Sequence, residues 1–291
     1  MTTTSKRLLI YTTKDIVDFG EATLHVWQKL GGVGEVHEGR EITSTELPEH
    51  DAILIRFGVP YTSIHYKALK DHVAAHGCLC VNEPITMAFT SNKARATEMA
   101  SQVMTIPKSR VITRDMNLED ALEGFTFPLV LKPKFSNGGR NIFFYRDKKE
   151  VKDYMKDEMC DHRYEATEWL VQECVDFEKL VRCVYMDGKL IDAVYDTATE
   201  PYKIRLKLGH LSKVWPEGDR AQLEEACKKL AEVFKMQVMV VDFFVTRDGK
   251  LVFNEVNNAT NLKWLRRHSE VPHATLLAKY VKRLLDERCE A

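Results

Sequence analysis

Met236 to Asn261 reads MQVMVVDFFVTRDGKLVFNEVNNATN. Two apolar runs flank Asp248-Gly249, the dipeptide that most strongly signals a tight two-residue hairpin. That turn sets a register in which Arg247 faces Lys250, Val245 faces Val252 and Asp242 faces Glu255. Asn257, two residues beyond Glu255, projects from the same face. Carboxylates directly opposite one another repel, and a cation between them reverses the sign. Asp, Glu and Asn supply only hard oxygen donors, which suit magnesium better than zinc. Magnesium held this way keeps positions for water and nucleotide phosphates. The plain alternative is an acidic cross-strand pair in solvent.

The 291 residues allow one large domain or two to three small ones. A net charge of −1 gives no electrostatic footprint for nucleic acid or an anionic membrane. The seven cysteines are scattered, and the N-terminal stretch MTTTSKRLLIYTTKD has too short an apolar core for secretion. No run is long enough to span a bilayer. These features predict a cytoplasmic protein with reduced thiols and leave a homo-oligomer open. The ten histidines show no metal-ligand spacing.

Upstream, RLLIY (7–11), DAILIR (51–56) and CLCV (78–81) read as buried strands. Helices over 22–30 and 63–76 separate them, which predicts a small parallel α/β unit. Arg56 ends its strand, where open α/β sheets place ligands, though a lone arginine is as readily a surface residue. The pattern predicts one helix over 90–104, capped by Thr90, Ser91 or Asn92. Lys93 then lies in the first turn, where the helix dipole disfavours a cation unless an anion is near.

FPLVLKPK (127–134) is a buried-type strand, followed by Ser136, Asn137, Gly138 and Gly139 and a return strand over 142–145. Adjacent glycines let backbone N–H groups approach phosphate, and Lys132 and Lys134 stand beside them; alone, the pair is an ordinary hairpin. A charged helix is predicted over 148–160, a strand over 168–175 and a second Asp-Gly hairpin over 180–195. In KIRLKL, Lys203, Arg205 and Lys207 share one strand face, as on a solvated edge or facing an anion. Helices over 219–234 and 273–287 complete the chain.

The order of these parts resembles the ATP-grasp superfamily over nearly the whole chain. The parts are a Lys at a helix start, VLKP before Gly-Gly, LVQECV, a basic strand, and VVDFFV with LVFNEVNN. The chain looks most similar to the branch of ligases that add glutamate to a ribosomal protein, with DAILIRFG, CLCVNEP and NKARATEMA as further echoes. The resemblance implies an ATP-grasp fold of mixed α/β and α+β class. It implies an N-terminal α/β domain over 1–90, a central lid subdomain over 91–172 and a C-terminal subdomain over 173–291.

It also implies ATP and Mg2+ as cofactors, and carboxylate and amine substrates that are small molecules or peptides. Lys93, Lys132 and Lys134, with Ser136, Gly138 and Gly139 of the loop, would contact phosphates. Glu173, Cys174 and Val175 would form the adenine edge, and Asp176 or Glu178 would reach the ribose. Asp242, Glu255 and Asn257 would hold magnesium. Lys203 and Arg205 would touch phosphate or acyl phosphate, with Arg205 and Lys132 as the catalytic cations. Asn258 and Thr260 stand where relatives commonly have a small residue, Pro and Gly beside the acceptor site; with Arg56 they are the substrate candidates. The implied activity is amide formation through an acyl phosphate. A small-molecule kinase and a non-catalytic nucleotide-binding regulator are the competing readings.

Overall fold

The computed structural model describes residues 5–12, 17–38, 49–56, 64–113, 115–135, 142–157, 168–198, 213–257 and 269–290. The chain opens with β1 (Arg7–Thr12), α1 (Val17–Lys29), β2 (Val33–Glu38), β3 (Ala52–Arg56), α2 (Ile64–His76) and β4 (Leu79–Val81). Their strands pair in parallel in the order β2-β1-β3-β4. Sequence reasoning found three of these strands and missed β2. VGEVHE is a half-exposed edge with few apolar residues. Gly34 fits there because a Cβ would fall 2.2 Å from the Leu8 carbonyl oxygen of β1. Helix α1 also starts five residues before the expected Ala22.

The helix expected over 90–104 spans 93–100, and a further helix that was not expected precedes it. Helix α3 (Pro84–Ser91) ends at Asn92, and α4 (Lys93–Ala100) begins there. Asn92 has extended backbone, and its side chain accepts from the N–H groups of Ala94 and Arg95 at 3.1 and 3.2 Å. This is a true N-cap, at one of the three expected positions.

Next come β5 (Ser109–Thr113), α5 (Leu118–Ala121), β6 (Leu129–Pro133), β7 (Phe143–Tyr145), α6 (Lys148–Asp157) and β8 (Glu168–Glu173). They build an antiparallel sheet ordered β5-β8-β6-β7. Trp169, Val171, Leu129 and Leu131 fill its core against Val151 of α6.

The last sheet uses β9 (Lys179–Met186), β10 (Lys189–Thr197), β11 (Lys213–Val214), β12 (Val238–Val245) and β13 (Leu251–Asn257). Helix α7 (Arg220–Phe234) precedes β12, and α8 (His273–Glu290) follows β13. The order is β11-β10-β9-β12-β13. The β9–β10 turn is Asp187-Gly188, both left-handed at φ 57° and 72°, as a two-residue primed turn demands.

Alternation along these strands divides the faces. Val181, Cys183, Tyr185, Met239, Val241 and Phe243 pack on α7. Val184, Met186, Val194, Val238 and Val240 join α8 and the N-terminal sheet in a second core. Asn82, just after β4, fastens that junction. Its amide donates to the Val238 carbonyl at 2.6 Å and accepts from the N–H groups of Gln237 and Val238. Thus β12 starts from a fixed point, and Asp242 sits four residues on. Among the described residues, no helix is long and apolar enough to cross a membrane.

Candidate functional site

The turn between β12 and β13 is longer than the Asp-Gly signal implied. Thr246 and Lys250 close it, with the Thr246 N–H donating to the Lys250 carbonyl at 3.0 Å. Arg247, Asp248 and Gly249 form the loop, and Gly249 takes φ +79°. The Thr246 hydroxyl also accepts from the Lys250 N–H at 3.1 Å, which favours the three-residue form. The register near the turn is therefore shifted by one: Val245 faces Leu251, and Phe244 faces Val252. The expected pairs Val245–Val252 and Arg247–Lys250 do not form.

Asp242 nevertheless faces Glu255, because the strand corrects itself. Phe243 pairs with Phe253 and Asp242 with Glu255, leaving Asn254 as the extra residue of a β-bulge. Phe253 and Val256 both pack on the α7 face, a spacing of three that only a bulge allows in a strand. Without it, Glu255 would turn toward α7.

The carboxylates thus meet on one face, each with a cation. Arg182 lies opposite Asp242 in the β9–β12 pairing and grips it bidentately, Nε to Oδ1 and Nη2 to Oδ2, both 2.5 Å. Asp242 is 1% exposed. Burial pushes its carboxyl up to about 6, against the pull of Arg182, so it is a carboxylate at neutral pH. Glu255 lies 3.5 Å from Lys93 Nζ. Burial would raise Glu255 too, but Lys93, Arg182 and Lys132 outweigh it and hold it at about 2. The anion that explains a lysine in the first turn of α4 is Glu255. Asn257 Nδ2 donates to Glu255 Oε1 at 3.4 Å, on the expected face.

Lys132 is the penultimate residue of β6 and is 8% exposed. Its ammonium donates to Asn254 Oδ1 at 3.2 Å. Burial lowers it to about 8, with Glu255 opposing. Lys93 is joined to the same strand end, its N–H donating to the Lys134 carbonyl at 2.9 Å. Between these groups lies a small cavity, lined by Thr90, Lys93, Lys132, Gln172, Asn254 and Glu255 among others. It is walled by α3 and α4, by β6 and β8, and by β13, so the two antiparallel sheets meet there.

Other candidates are placed differently. Lys134 ion-pairs with Glu168 at 2.5 Å and does not line the cavity. The Glu173 carboxylate accepts from the Thr126 N–H at 2.8 Å and faces Lys108. In the segment after β8, the N–H groups of Glu173 and Cys174 donate to the carbonyls of Lys108 and Pro128. Val175 keeps a backbone N–H with no acceptor among the described residues. Burial pushes the Cys174 thiol up to about 12. Asp176 lies 3.7 Å from Arg247, and Glu178 3.5 Å from Lys179. Arg56 is buried, its guanidinium 4.8 Å over the Phe19 ring, and burial lowers it to about 10. Ser136, Gly138, Gly139, Lys203, Arg205, Asn258 and Thr260 lie outside the described residues.

The donor set Asp242, Glu255 and Asn257 is all oxygen and fits a hard cation such as magnesium. Among the described residues, no group of three or more His, Cys, Asp or Glu gathers as a metal site. Two acids and one amide are what this face offers. Sequence reasoning missed Arg182 and Asn254. The signal for Arg182 was a lone charge inside the apolar strand KLVRCVYM, whose neighbour in the sheet is β12.

A RimK-like ATP-grasp domain model matches residues 90–281. The chain is 26% identical over 220 residues to the coenzyme gamma-F420-2:alpha-L-glutamate ligase of Methanocaldococcus jannaschii, covering 71% of this chain and 72% of that protein. It is 21% identical to a probable alpha-L-glutamate ligase of Mannheimia succiniciproducens, over 92% of this chain and 89% of that protein. In three dimensions it resembles a D-alanine–D-alanine ligase from Bacillus anthracis complexed with ATP. That match has a TM-score of 0.72 and 15% identity, over 98% of this chain and 100% of that one. A RimK domain ATP-grasp protein from Sphaerobacter thermophilus gives a TM-score of 0.69 and 18% identity, over 93% and 98% of the two chains. The fold is ATP-grasp, and the chain belongs to the RimK-like ATP-grasp family.

Proposed function

We propose that this protein is an ATP-dependent ligase that joins a carboxylate to an amine through an acyl phosphate, releasing ADP and phosphate. The observation that carries the reading is the Asp242–Glu255 pair, set by a bulge and ringed by Lys93, Lys132 and Arg182 beside the cavity. Asp242, Glu255 and Asn257 would hold magnesium, which when bound neutralises charge on the nucleotide phosphates. The family resemblance supports a three-part division near 1–90, 91–172 and 173–291, with the nucleotide between the last two.

The chemistry asks little covalent work of side chains. A carboxylate resists an amine because oxide is a poor leaving group; phosphorylation supplies a better one. Phosphoryl transfer is then a matter of positioning and charge stabilisation. Lys93 and Lys132 would bind phosphate oxygens. The Val175 N–H would meet the adenine edge. Lys203 and Arg205 would approach the transferred group, and Arg56, Asn258 and Thr260 the acceptor side. The loop over 136–139 would exclude water from the acyl phosphate.

The two relatives described above are named as glutamate ligases, so L-glutamate is the first amine to test. The test is a panel of amino acids and dipeptides with ATP and magnesium, read by phosphate release. Amine-dependent phosphate together with ADP is expected. ADP with a stable phosphorylated product and no free phosphate would instead make the protein a kinase, and neither product would make it a binder.

Titration of Lys132 gives a second test. Its pKa of about 8 lies below the 10.5 of a free lysine. Between these values the unfolded chain binds more protons than the folded one, so this residue's contribution to stability rises with pH across that window. Phosphate needs the charged form, so ATP affinity should fall as pH rises through 8. A drop of about tenfold is expected from pH 7 to pH 9. Calorimetric titration should show this slope, and Lys132→Met should flatten it. An equal slope in both proteins would return Lys132 to a structural role.

A further inference from the structure

Asn254 is the residue that the bulge sets apart, with no cross-strand partner in β12. Asparagine is a poor strand former, and bulges beside active sites commonly re-aim a side chain. Here the amide oxygen meets the Lys132 ammonium at 3.2 Å, and both residues line the cavity. The two come from different sheets, 122 positions apart in sequence.

We propose that Asn254 is a positioning residue for nucleotide binding: its side-chain oxygen holds the Lys132 ammonium in place for a phosphate. This rests on reading the cavity as an ATP site. A lysine head on four methylenes carries about 2 kcal/mol of rotamer entropy, and a fixed hydrogen bond removes part of that cost before the ligand arrives. The neutral partner matters. A carboxylate would cancel the charge and compete with phosphate, whereas an amide dipole orients the ammonium and leaves its charge to the incoming anion. The nearest carboxylate, Glu255, is already turned to Lys93 and Asn257. The bulge therefore does two things with neighbouring residues. It sends Glu255 to the Asp242 face and leaves Asn254 free to reach across to β6.

The test is calorimetric ATP binding with magnesium to five proteins: wild type, Asn254→Ala, Asn254→Asp, Lys132→Ala and the Asn254→Ala/Lys132→Ala double variant. Asn254→Ala should raise the Kd about tenfold, the scale of a hydrogen bond to a charged group. The double variant should bind no worse than Lys132→Ala, because the amide acts only through the ammonium. Asn254→Asp, an acceptor of the same reach whose charge competes with phosphate, should leave the Kd at least about tenfold above wild type. A bulge-filling role alone would move the melting temperature and leave ATP affinity unchanged. Wild-type affinity in Asn254→Ala, or additive effects in the double variant, would overturn the proposal. A wild-type protein that binds no ATP would be a different failure, removing the nucleotide reading itself and this inference with it.

Discussion

Glu255→Gln should cut turnover at least about a hundredfold while leaving a folded protein, a loss of about 3 kcal/mol of transition-state stabilisation. The change keeps the size of the side chain and removes its charge. Held at about 2, Glu255 is ionised throughout the working range, so the variant differs from wild type by a full charge at every working pH. Two effects on the fold oppose each other. Repulsion from Asp242 across the strand pair is relieved, and the contact with Lys93 at 3.5 Å is weakened. The melting temperature in the absence of magnesium should therefore move little. The decisive measurement is turnover at saturating magnesium. A variant within a few fold of wild type there would remove Glu255 from the metal set.

That pairing also shows how far the sequence could be read. Asp-Gly between apolar runs announced the hairpin, and spacing put Asp242 opposite Glu255. The pair is real, but two deviations cancel to make it: one residue more in the turn and one absorbed by the bulge at Asn254. A register argument sees only the sum of such shifts. Lys93 and Lys132 were legible because motif order located them, and the first-turn lysine called for an anion that turned out to be Glu255. Arg182 was not legible. Its partner lies 60 residues away, on a strand whose neighbour depends on sheet order rather than on local pattern. Edge strand β2 was lost because it carries too little apolar signal, and helix α3 because it abuts the helix that Asn92 caps.

Arg182→Met should destabilise the protein by about 3–5 kcal/mol at pH 7, the cost of leaving one partner of a buried ion pair uncompensated. Asp242 is 1% exposed, and the guanidinium supplies both of its close contacts at 2.5 Å. Removing the charge on both sides should recover most of the loss, so Arg182→Met/Asp242→Asn should be more stable than Arg182→Met. The pH dependence has a definite sign. Burial already raises Asp242 to about 6, above the 3.8 of a free aspartate, and loss of Arg182 raises it further. Between the unfolded and folded values the native state binds the extra proton, so stability falls as pH rises. The variant should thus lie closer to wild type at pH 5 than at pH 7. Magnesium separates this account from a simple packing defect. In the wild type a cation at Asp242 must compete with a bidentate guanidinium; in Arg182→Met it supplies the missing counter-charge. Added magnesium should then raise the melting temperature of Arg182→Met more than that of the wild type, and Asp242→Asn should abolish the excess. Equal shifts in both proteins would mean that Asp242 is a structural partner of Arg182 and not a metal ligand.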